Sequence, residues 1–193
     1  VGTVDQKIAD LYTMGMDSTR LNAQGVAPLK ADIDMLMEVE QLSDLAIAVA
    51  MIHTSAGNPL FSTGVGADLL NSNINVLYVE QSGLGMGNRD YYLDAENQAK
   101  REGYVQWLTK AFTMIGWEDA AAKAEQVLAF ETKMAEAFRS NVELRNVTAN
   151  YNAMTKAELI ARFPDFNWNA YFGQMGIGAF DKVIVGQPEV IEA

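Results

Sequence analysis

Cysteine is absent from the 193-residue sequence, and histidine occurs once, as His53. A chain without cysteine forms no disulfide bond and offers no thiolate to a metal, so packing must supply its stability. His53 has no second histidine or cysteine to complete a zinc site, and no G-x-S-x-G segment lies near it. We therefore interpret His53 as a structural or surface residue, and we expect no catalytic residue, no zinc and no other cofactor in this chain.

Basic residues and long apolar runs are also scarce. The 14 Lys and Arg residues face 25 Asp and Glu residues, which gives a net charge of −11. Nucleic acids and anionic membranes repel such a protein, so neither is an expected partner. The longest apolar run, Leu45–Ile52, is much shorter than the roughly 20 residues that span a bilayer. We expect no membrane segment in this region.

The remaining composition is that of a folded protein. Hydrophobic residues make up 49% of the chain and charged residues 20%, which argues against disorder. Apolar residues recur at helical spacing in several segments, and the clearest of these are 4–12, 44–55, 94–115 and 120–138. Residues 60–65 and 73–78 favour a hairpin, which 182–185 could join. The predicted fold is mainly α: a single domain over 1–193 with about eight helices and one small antiparallel hairpin or three-stranded sheet.

Two patterns with possible chemistry are rejected on spacing. Glycines alternate with other residues in Gly83–Gly87, after a predicted strand, as they do in dinucleotide-binding loops. The third glycine is missing at the required offset, and no lysine follows as it would in a phosphate-binding P-loop. Acidic pairs such as Asp32 and Asp34 point in different directions on a helix, so they are predicted to be solvated.

The segment Gly83–Leu93 reads GLGMGNRDYYL and resembles the GLGLPxRDYYL signature in the N-terminal region of neprilysin-like zinc metallopeptidases. The resemblance continues in the same order along the chain. Leu144–Thr155 is similar to the family's RN…YNxMT stretch, and Phe166–Phe172 is similar to its FDWxxYF segment. The likeness covers essentially the whole chain but only a minority of a full-length family member.

The resemblance implies that this chain is a fragment of a larger zinc metalloendopeptidase or oligopeptidase. In such enzymes an H-E-x-x-H helix and a further glutamate bind zinc in a downstream domain, which this chain lacks. The fragment would be inactive alone and would form a helical cap that limits substrates to peptides. Its implied partners are the catalytic domain of the same polypeptide and the peptide substrates. The parent would be extracytoplasmic, in the periplasm or at the cell surface, and the lack of cysteine suits a bacterial member.

Six residues are candidates for a structural motif rather than a catalytic one. Arg89, Asp90, Tyr91 and Tyr92 lie in the signature and are interpreted as residues that organise a turn. Glu131 falls on the apolar stripe of a predicted helix, where a buried carboxylate needs a partner. We expect that partner to be Arg145, with Arg89 as the second choice.

A stand-alone helical interaction module without enzymatic activity is the alternative. The two hypotheses differ in what the gene encodes after Ala193, which should include H-E-x-x-H for a peptidase and a stop codon for the module. A lobe of a larger enzyme should also expose an apolar surface for the remainder. We expect that surface at Val183–Val185 and Val190–Ile191.

Overall fold

The structure is a computed structural model that describes residues 2–55 and 57–193. The chain divides into two compact units, Val1–Glu38 and Val39–Ala193. That the chain forms a single domain stays a prediction.

The first unit consists of short helices with clear capping signals. The Thr3 hydroxyl accepts a hydrogen bond from the Gln6 N–H at 3.2 Å, and the Asp17 carboxylate accepts one from the Arg20 N–H at 2.9 Å. The apolar stripe of the first helix is exposed, and that helix contains no buried residue. The helices are α1 (Val4–Met16), α2 (Ser18–Gln24) and α3 (Lys30–Met37).

The second unit surrounds a small sheet with helices. Its elements before the long helical pair are α4 (Leu42–Ser55), β1 (Phe61–Asp68), β2 (Asn71–Gln81) and α5 (Asp90–Leu93). The long helical pair is α6 (Gln98–Met114) and α7 (Ala120–Ala137). The elements after it are β3 (Asn152–Met154), α8 (Lys156–Arg162), α9 (Trp168–Gln174), β4 (Val183–Val185) and α10 (Pro188–Glu192). The mainly α fold class is confirmed.

The sheet differs in detail from the prediction, because it has four strands and mixed topology among the described residues. The order is β1-β2-β4-β3, and β4 runs parallel to β2 and antiparallel to β3. All three residues of Val183–Val185 are fully buried, as β-branched runs in parallel strands usually are. The segment was expected to join the hairpin, but the sequence gives no sign of the three-residue partner β3.

Aromatic side chains of α9 form the centre of the main core. Trp168, Tyr171 and Phe172 are each at most 1% exposed, and they belong to one cluster with Ala46 and Val49 of α4. Helix α4 packs closely against α9 because its inward positions carry small residues. As predicted for its apolar composition, α4 contributes to the centre of the fold, although its outer face is partly exposed.

A second apolar cluster joins α5 to α7. Leu84, Tyr92, Ala135 and Phe138 are buried there, and they place the glycine-rich segment 82–89 against the C-terminal half of α7. None of the described helices combines the length and the apolar composition that crossing a membrane requires.

Candidate functional site

A carboxylate and two phenols meet where α5, α6 and α7 come together. Glu131 on α7 is 8% exposed. The Tyr92 hydroxyl donates a hydrogen bond to Glu131 Oε2 at 2.5 Å, and the Tyr104 hydroxyl donates one to Glu131 Oε1 at 3.1 Å. The Tyr92 oxygen also accepts a hydrogen bond from the Met86 N–H at 2.9 Å. We call Tyr92, Tyr104 and Glu131 the Glu131 cluster, and it links the glycine-rich segment to α6 and α7.

Two glycines allow the segment to approach its neighbours closely. Gly83 has a φ of 103°, and a Cβ on it would overlap the Leu60 nitrogen and lie 3.0 Å from the Leu60 Cα. A Cβ on Gly85 would overlap the Tyr104 hydroxyl oxygen and lie 3.2 Å from Glu131 Oε1. The glycine pattern that superficially suggested a nucleotide loop therefore serves close packing.

The chemistry of the Glu131 cluster favours a structural role. Burial raises the pKa of Tyr92 and of Tyr104 above the ordinary tyrosine value, and the neighbouring Glu131 raises both further. Both phenols therefore keep their protons at neutral pH and donate hydrogen bonds. A protonated phenol is not a general base, so the arrangement is suited to hold the segment against α7.

The signature residues next to Tyr92 use their main-chain groups in the turn. The Asp90 carbonyl accepts a hydrogen bond from the Asn97 side chain at 3.1 Å. The Tyr91 carbonyl accepts one from Arg101 Nη1 at 3.0 Å, and the Lys100 ammonium lies 3.9 Å from the Tyr91 ring centroid. These contacts connect α5 to the start of α6.

The prediction of an arginine partner for Glu131 is wrong. Arg89 directs its Nε to the Ala135 carbonyl at 3.4 Å, near the end of α7. Arg145 is exposed in a 3-10 turn, and the described residues include no ion pair to Glu131. Tyrosine hydroxyls satisfy the carboxylate instead. Tyr104 was missed as a partner, although it lies on the helix that packs against α7.

Arg139, which follows α7, joins four segments of the second unit. Its guanidinium contacts the Glu189 carboxylate through Nε at 2.5 Å and Nη2 at 3.0 Å. Its Nη1 donates to the carbonyls of Ala149 at 2.8 Å and Gly186 at 3.2 Å. Its N–H donates to the Gln81 side-chain oxygen at 2.8 Å. No sequence pattern singles out Arg139, since a lone arginine at a helix end is not distinctive.

A polar cavity of about 230 Å³ lies beside the glycine-rich segment. Arg89 and Arg139 both line it. The Ser140 hydroxyl and N–H hold the pKa of Glu143 below its usual range, and the charges of the two arginines lower it further. The positive wall of the cavity is therefore close to an ionised carboxylate.

Asp68, at the end of β1, is the centre of a second polar cluster. Its buried carboxylate accepts hydrogen bonds from Lys182 Nζ at 2.5 Å, from the Tyr151 hydroxyl at 2.8 Å and from the Leu70 N–H at 2.9 Å. The Lys182 hydrogen bond is the main reason why the pKa of Asp68 falls from 3.8 to about 2. These contacts join the hairpin end to the segments before β3 and β4, and no sequence pattern predicted them.

Asp68→Asn should flatten the acid dependence of stability. Because the folded-state pKa is below the ordinary value, the ionised carboxylate contributes stability above about pH 4, and this is lost as pH falls towards 2. We expect the variant to be less stable at pH 7 and to change less between pH 4 and 2, as measured by urea unfolding midpoints. Asp165→Asn, at an exposed position, is the control. Equal acid dependence in wild type and D68N would contradict the prediction.

His53 is partly buried and both of its ring nitrogens have partners. Nδ1 lies 2.6 Å from the Tyr171 hydroxyl, which also lies 2.7 Å from Thr63 Oγ1, and Nε2 lies 3.1 Å from the Pro59 carbonyl oxygen. Burial lowers the pKa of His53. In residues 2–55 and 57–193, no three His, Cys, Asp or Glu side chains are grouped so that they could hold a metal ion.

An apolar cleft of about 220 Å³ lies between the start of β1 and the helices α7, α9 and α10. Phe130, which lines the cleft, is 53% exposed, and Lys133 adds one charged side chain to the lining. An apolar surface was expected at Val190–Ile191 and at Val183–Val185. Val190 and Ile191 do line this cleft, but Val183–Val185 is buried because it is a central strand. Other lining residues are Leu60, Met134, Phe166 and Trp168.

Comparison with known proteins gives consistent matches along the chain. The family model described as "Peptidase family M13" matches residues 2–193. Endothelin-converting enzyme 1 from Cavia porcellus is 31% identical over 209 aligned residues, which cover 100% of this chain and 27% of that protein. The human enzyme of the same name is also 31% identical, with the same coverage.

Solved structures show the same architecture. The inhibitor complex of the Mycobacterium tuberculosis zinc metalloprotease Zmp1 matches with a TM-score of 0.89 and 26% identity, over 100% of this chain and 30% of that one. PepO from Lactobacillus rhamnosis matches with a TM-score of 0.71 at 21% identity, over 91% of this chain and 29% of that one, and supports the fold alone. The chain thus spans under a third of the length of these proteins. The resemblance inferred from the sequence motifs is confirmed, and the chain belongs to peptidase family M13.

Proposed function

We propose that this chain is a non-catalytic lobe of a zinc metalloendopeptidase that hydrolyses peptides. The observation that carries the proposal is the family match over residues 2–193, combined with coverage of only 27% of the related endothelin-converting enzymes. Relatives of this length have room for a separate catalytic domain. The lobe would cover the cleft of that domain and restrict entry to peptides.

The residues described here do not fit a zinc site. His53 is the single histidine, and both of its nitrogens are occupied by Tyr171 and the Pro59 carbonyl. Zinc in proteins of this kind is held by nitrogen and oxygen ligands that converge on one point. We therefore propose that the zinc ligands and the general base belong to the remainder of the polypeptide, and that residues 1–193 alone are inactive.

The partner of the lobe is then the catalytic domain of the same polypeptide. The apolar cleft supports this assignment, because its rim residue Phe130 is an exposed aromatic in an acidic protein. Exposed aromatic side chains beside an apolar cleft are typical of contact surfaces. We also propose that the parent enzyme is extracytoplasmic, which fractionation of the source cells would test.

We further propose that the signature residues Arg89, Asp90, Tyr91 and Tyr92, with Glu131, organise the glycine-rich segment and do not contact substrate. The contacts of the Glu131 cluster and of the Tyr91 carbonyl support this role. Arg145 is excluded from the cluster, since its main-chain turn places it at the surface.

The coding sequence after Ala193 distinguishes the proposal from the stand-alone interaction module. We expect an H-E-x-x-H motif in a predicted helix, followed by a further glutamate. A stop codon soon after Ala193 would favour the module. This observation requires only the gene.

The full-length enzyme should discriminate substrates by size. We expect it to cleave a blocked ten-residue peptide in a zinc-dependent manner and to cleave the same sequence at least about 100-fold more slowly inside a large unfolded protein, because the lobe limits entry. Mass spectrometry of timed digests measures both rates. Cleavage of the large substrate at a rate similar to that of the peptide would contradict the cap role. Absence of cleavage of both substrates would contradict the peptidase assignment.

A further inference from the structure

Among the described residues, the outer edge of β1 has no partner strand, and some of its main-chain groups are unpaired. In the part of the chain that the structure describes, β1 pairs with β2 on one side and with no strand on the other. The strand is eight residues long, Phe61–Asp68, and its residues Thr63–Val65 lie opposite the part of β2 that pairs with β4 on the other side. Val65 is 71% exposed there.

The hydrogen bonds of β2 show which residues of β1 point outwards. On the β4 side of β2, the Gly186 N–H donates to the Val79 carbonyl and the Gln81 N–H donates to the Gln187 side chain, both at 2.8 Å. Main-chain groups alternate along a strand, so Tyr78 and Glu80 direct theirs towards β1.

The register then assigns the two edges of β1. The partners of Tyr78 and Glu80 are Gly64 and Ser62, which therefore use their main-chain groups on β2. Thr63 and Val65 direct theirs to the outer edge. Among the described residues, no hydrogen-bond partner is found for the main-chain N–H or carbonyl of either one.

This edge lacks the features with which proteins usually block strand addition. Natural edge strands are protected by charged residues, proline, bulges or covering segments. From Phe61 to Ala67 the strand has no charged residue and no proline, and the ladder shifts only between Ala67 and Asp68. No described atom lies within 4 Å of the place where a Cβ on Gly64 would be, so that face has room for a neighbouring side chain.

The Ala67 carbonyl, next along this edge, already accepts a hydrogen bond from the Tyr78 hydroxyl at 2.7 Å, so the open stretch is Thr63–Val65. We propose that the Thr63–Val65 edge of β1 binds an extended peptide segment by adding it to the sheet as a fifth strand. This deepens the proposed function and rests on it, because it assigns to the lobe a binding site for the peptide class on which the enzyme acts. Two residues with outward donors and acceptors at strand spacing are complementary to another extended backbone and to few other ligands. Recognition is through the main chain, and the uncharged edge with the exposed Val65 favours uncharged, β-branched side chains.

Hydrogen exchange in the full-length protein tests whether this edge is free. The probe is a blocked eight-residue peptide of alternating threonine and valine, with its fully N-methylated form as a control that cannot donate main-chain hydrogen bonds. We expect the amides of Thr63 and Val65 to exchange rapidly in the free protein and to become at least about tenfold slower with the unmethylated peptide only. Amides already protected without peptide would mean that another segment of the polypeptide covers the edge, which would overturn the proposal. Amides that stay rapid with peptide would overturn it too.

A matched pair of variants tests the contacts themselves. Val65→Pro removes the outward N–H at a position where an edge strand tolerates proline, whereas Val65→Thr keeps the N–H and the branched shape. We expect the proline variant to weaken peptide binding by about tenfold and the threonine variant by less than about twofold, measured by fluorescence anisotropy. Equal binding by both variants would overturn the proposal. If V65P fails to fold, judged by circular dichroism, comparison of the two peptides on the wild-type protein decides.

The outcomes separate this inference from the proposed function. Wild-type enzyme that hydrolyses peptides but shows no protection at Thr63 and Val65 overturns the edge site alone. A polypeptide that protects these amides yet has no peptidase activity overturns the peptidase assignment alone.

Discussion

Gly83→Ala is expected to destabilise the second unit by about 4 kcal/mol. Gly83 has a φ of 103°, a conformation that costs a residue with a Cβ about 1–2 kcal/mol. The added methyl group would also overlap the Leu60 nitrogen, and a backbone atom cannot move aside as a flexible side chain does. Urea unfolding followed by tryptophan fluorescence, to which the buried Trp168 contributes, measures the loss.

Gly87→Ala separates the two causes. Gly87 belongs to the same segment and has a φ of 80°, but no described atom lies within 4 Å of its added Cβ. We expect this variant to lose only the conformational cost, about 1–2 kcal/mol. Equal destabilisation by the two substitutions would contradict the close approach between Gly83 and Leu60. If G83A yields no soluble protein while G87A does, the ranking is still supported.

Local patterns of the sequence predicted the helices well because those patterns have local causes. Thr155 and Glu158 have the spacing of a capping box and form one at the start of α8, with Thr155 Oγ1 accepting from the Glu158 N–H and Glu158 accepting from the Thr155 N–H. The predicted start of the helical segment 94–115 was less accurate. Residues Ala95–Asn97 form a 3-10 turn, so α6 begins at Gln98 and not at Asp94.

Contacts between distant segments were harder to predict. Val183–Val185 was expected both to join the hairpin and to lie at an exposed surface, and only the first expectation was correct. Its burial depends on β3, whose three residues Asn152–Met154 are too few to show an alternating pattern. The Asp68 cluster could not be predicted for the same reason, since Lys182 lies 114 residues away from Asp68 in sequence.

For Glu131, the sequence predicted burial but not the chemical type of its partner. The apolar stripe of α7 correctly predicted that Glu131 is buried and needs a partner. Charge alone suggested an arginine, but hydroxyl donors satisfy a carboxylate as well, and a phenol brings apolar surface to a buried position. The absence of a side chain at Gly85 makes room for Tyr104, and this requirement is visible only in three dimensions.

Glu131→Ala should cost about 3–5 kcal/mol, because it removes the acceptor of the buried Tyr92 hydroxyl and of the partly buried Tyr104 hydroxyl and leaves a cavity. The Tyr92 hydroxyl would still accept from the Met86 N–H, but its own proton would have no acceptor. Glu131→Gln keeps the volume and one carbonyl oxygen, and its amide group can donate to the second phenol. We expect that variant to lose only about 1–2 kcal/mol. Urea unfolding midpoints of both variants give the comparison.

The sharper test is whether removing the whole cluster costs less than breaking it. Glu131→Leu leaves both phenols without their acceptor. The triple variant Glu131→Leu, Tyr92→Phe and Tyr104→Phe removes the donors as well, and only the partly buried Met86 N–H then loses its acceptor. Replacing all partners of a buried hydrogen bond by apolar groups of similar shape is often nearly neutral, while leaving one partner unpaired costs about 1–3 kcal/mol per group. We therefore expect the triple variant to regain more than half of the stability that E131L loses, with a coupling energy above about 1.5 kcal/mol in the mutant cycle. Additive losses across the three substitutions would show that the hydroxyls do not depend on Glu131, and the cluster would then not be what fixes the glycine-rich segment to α7.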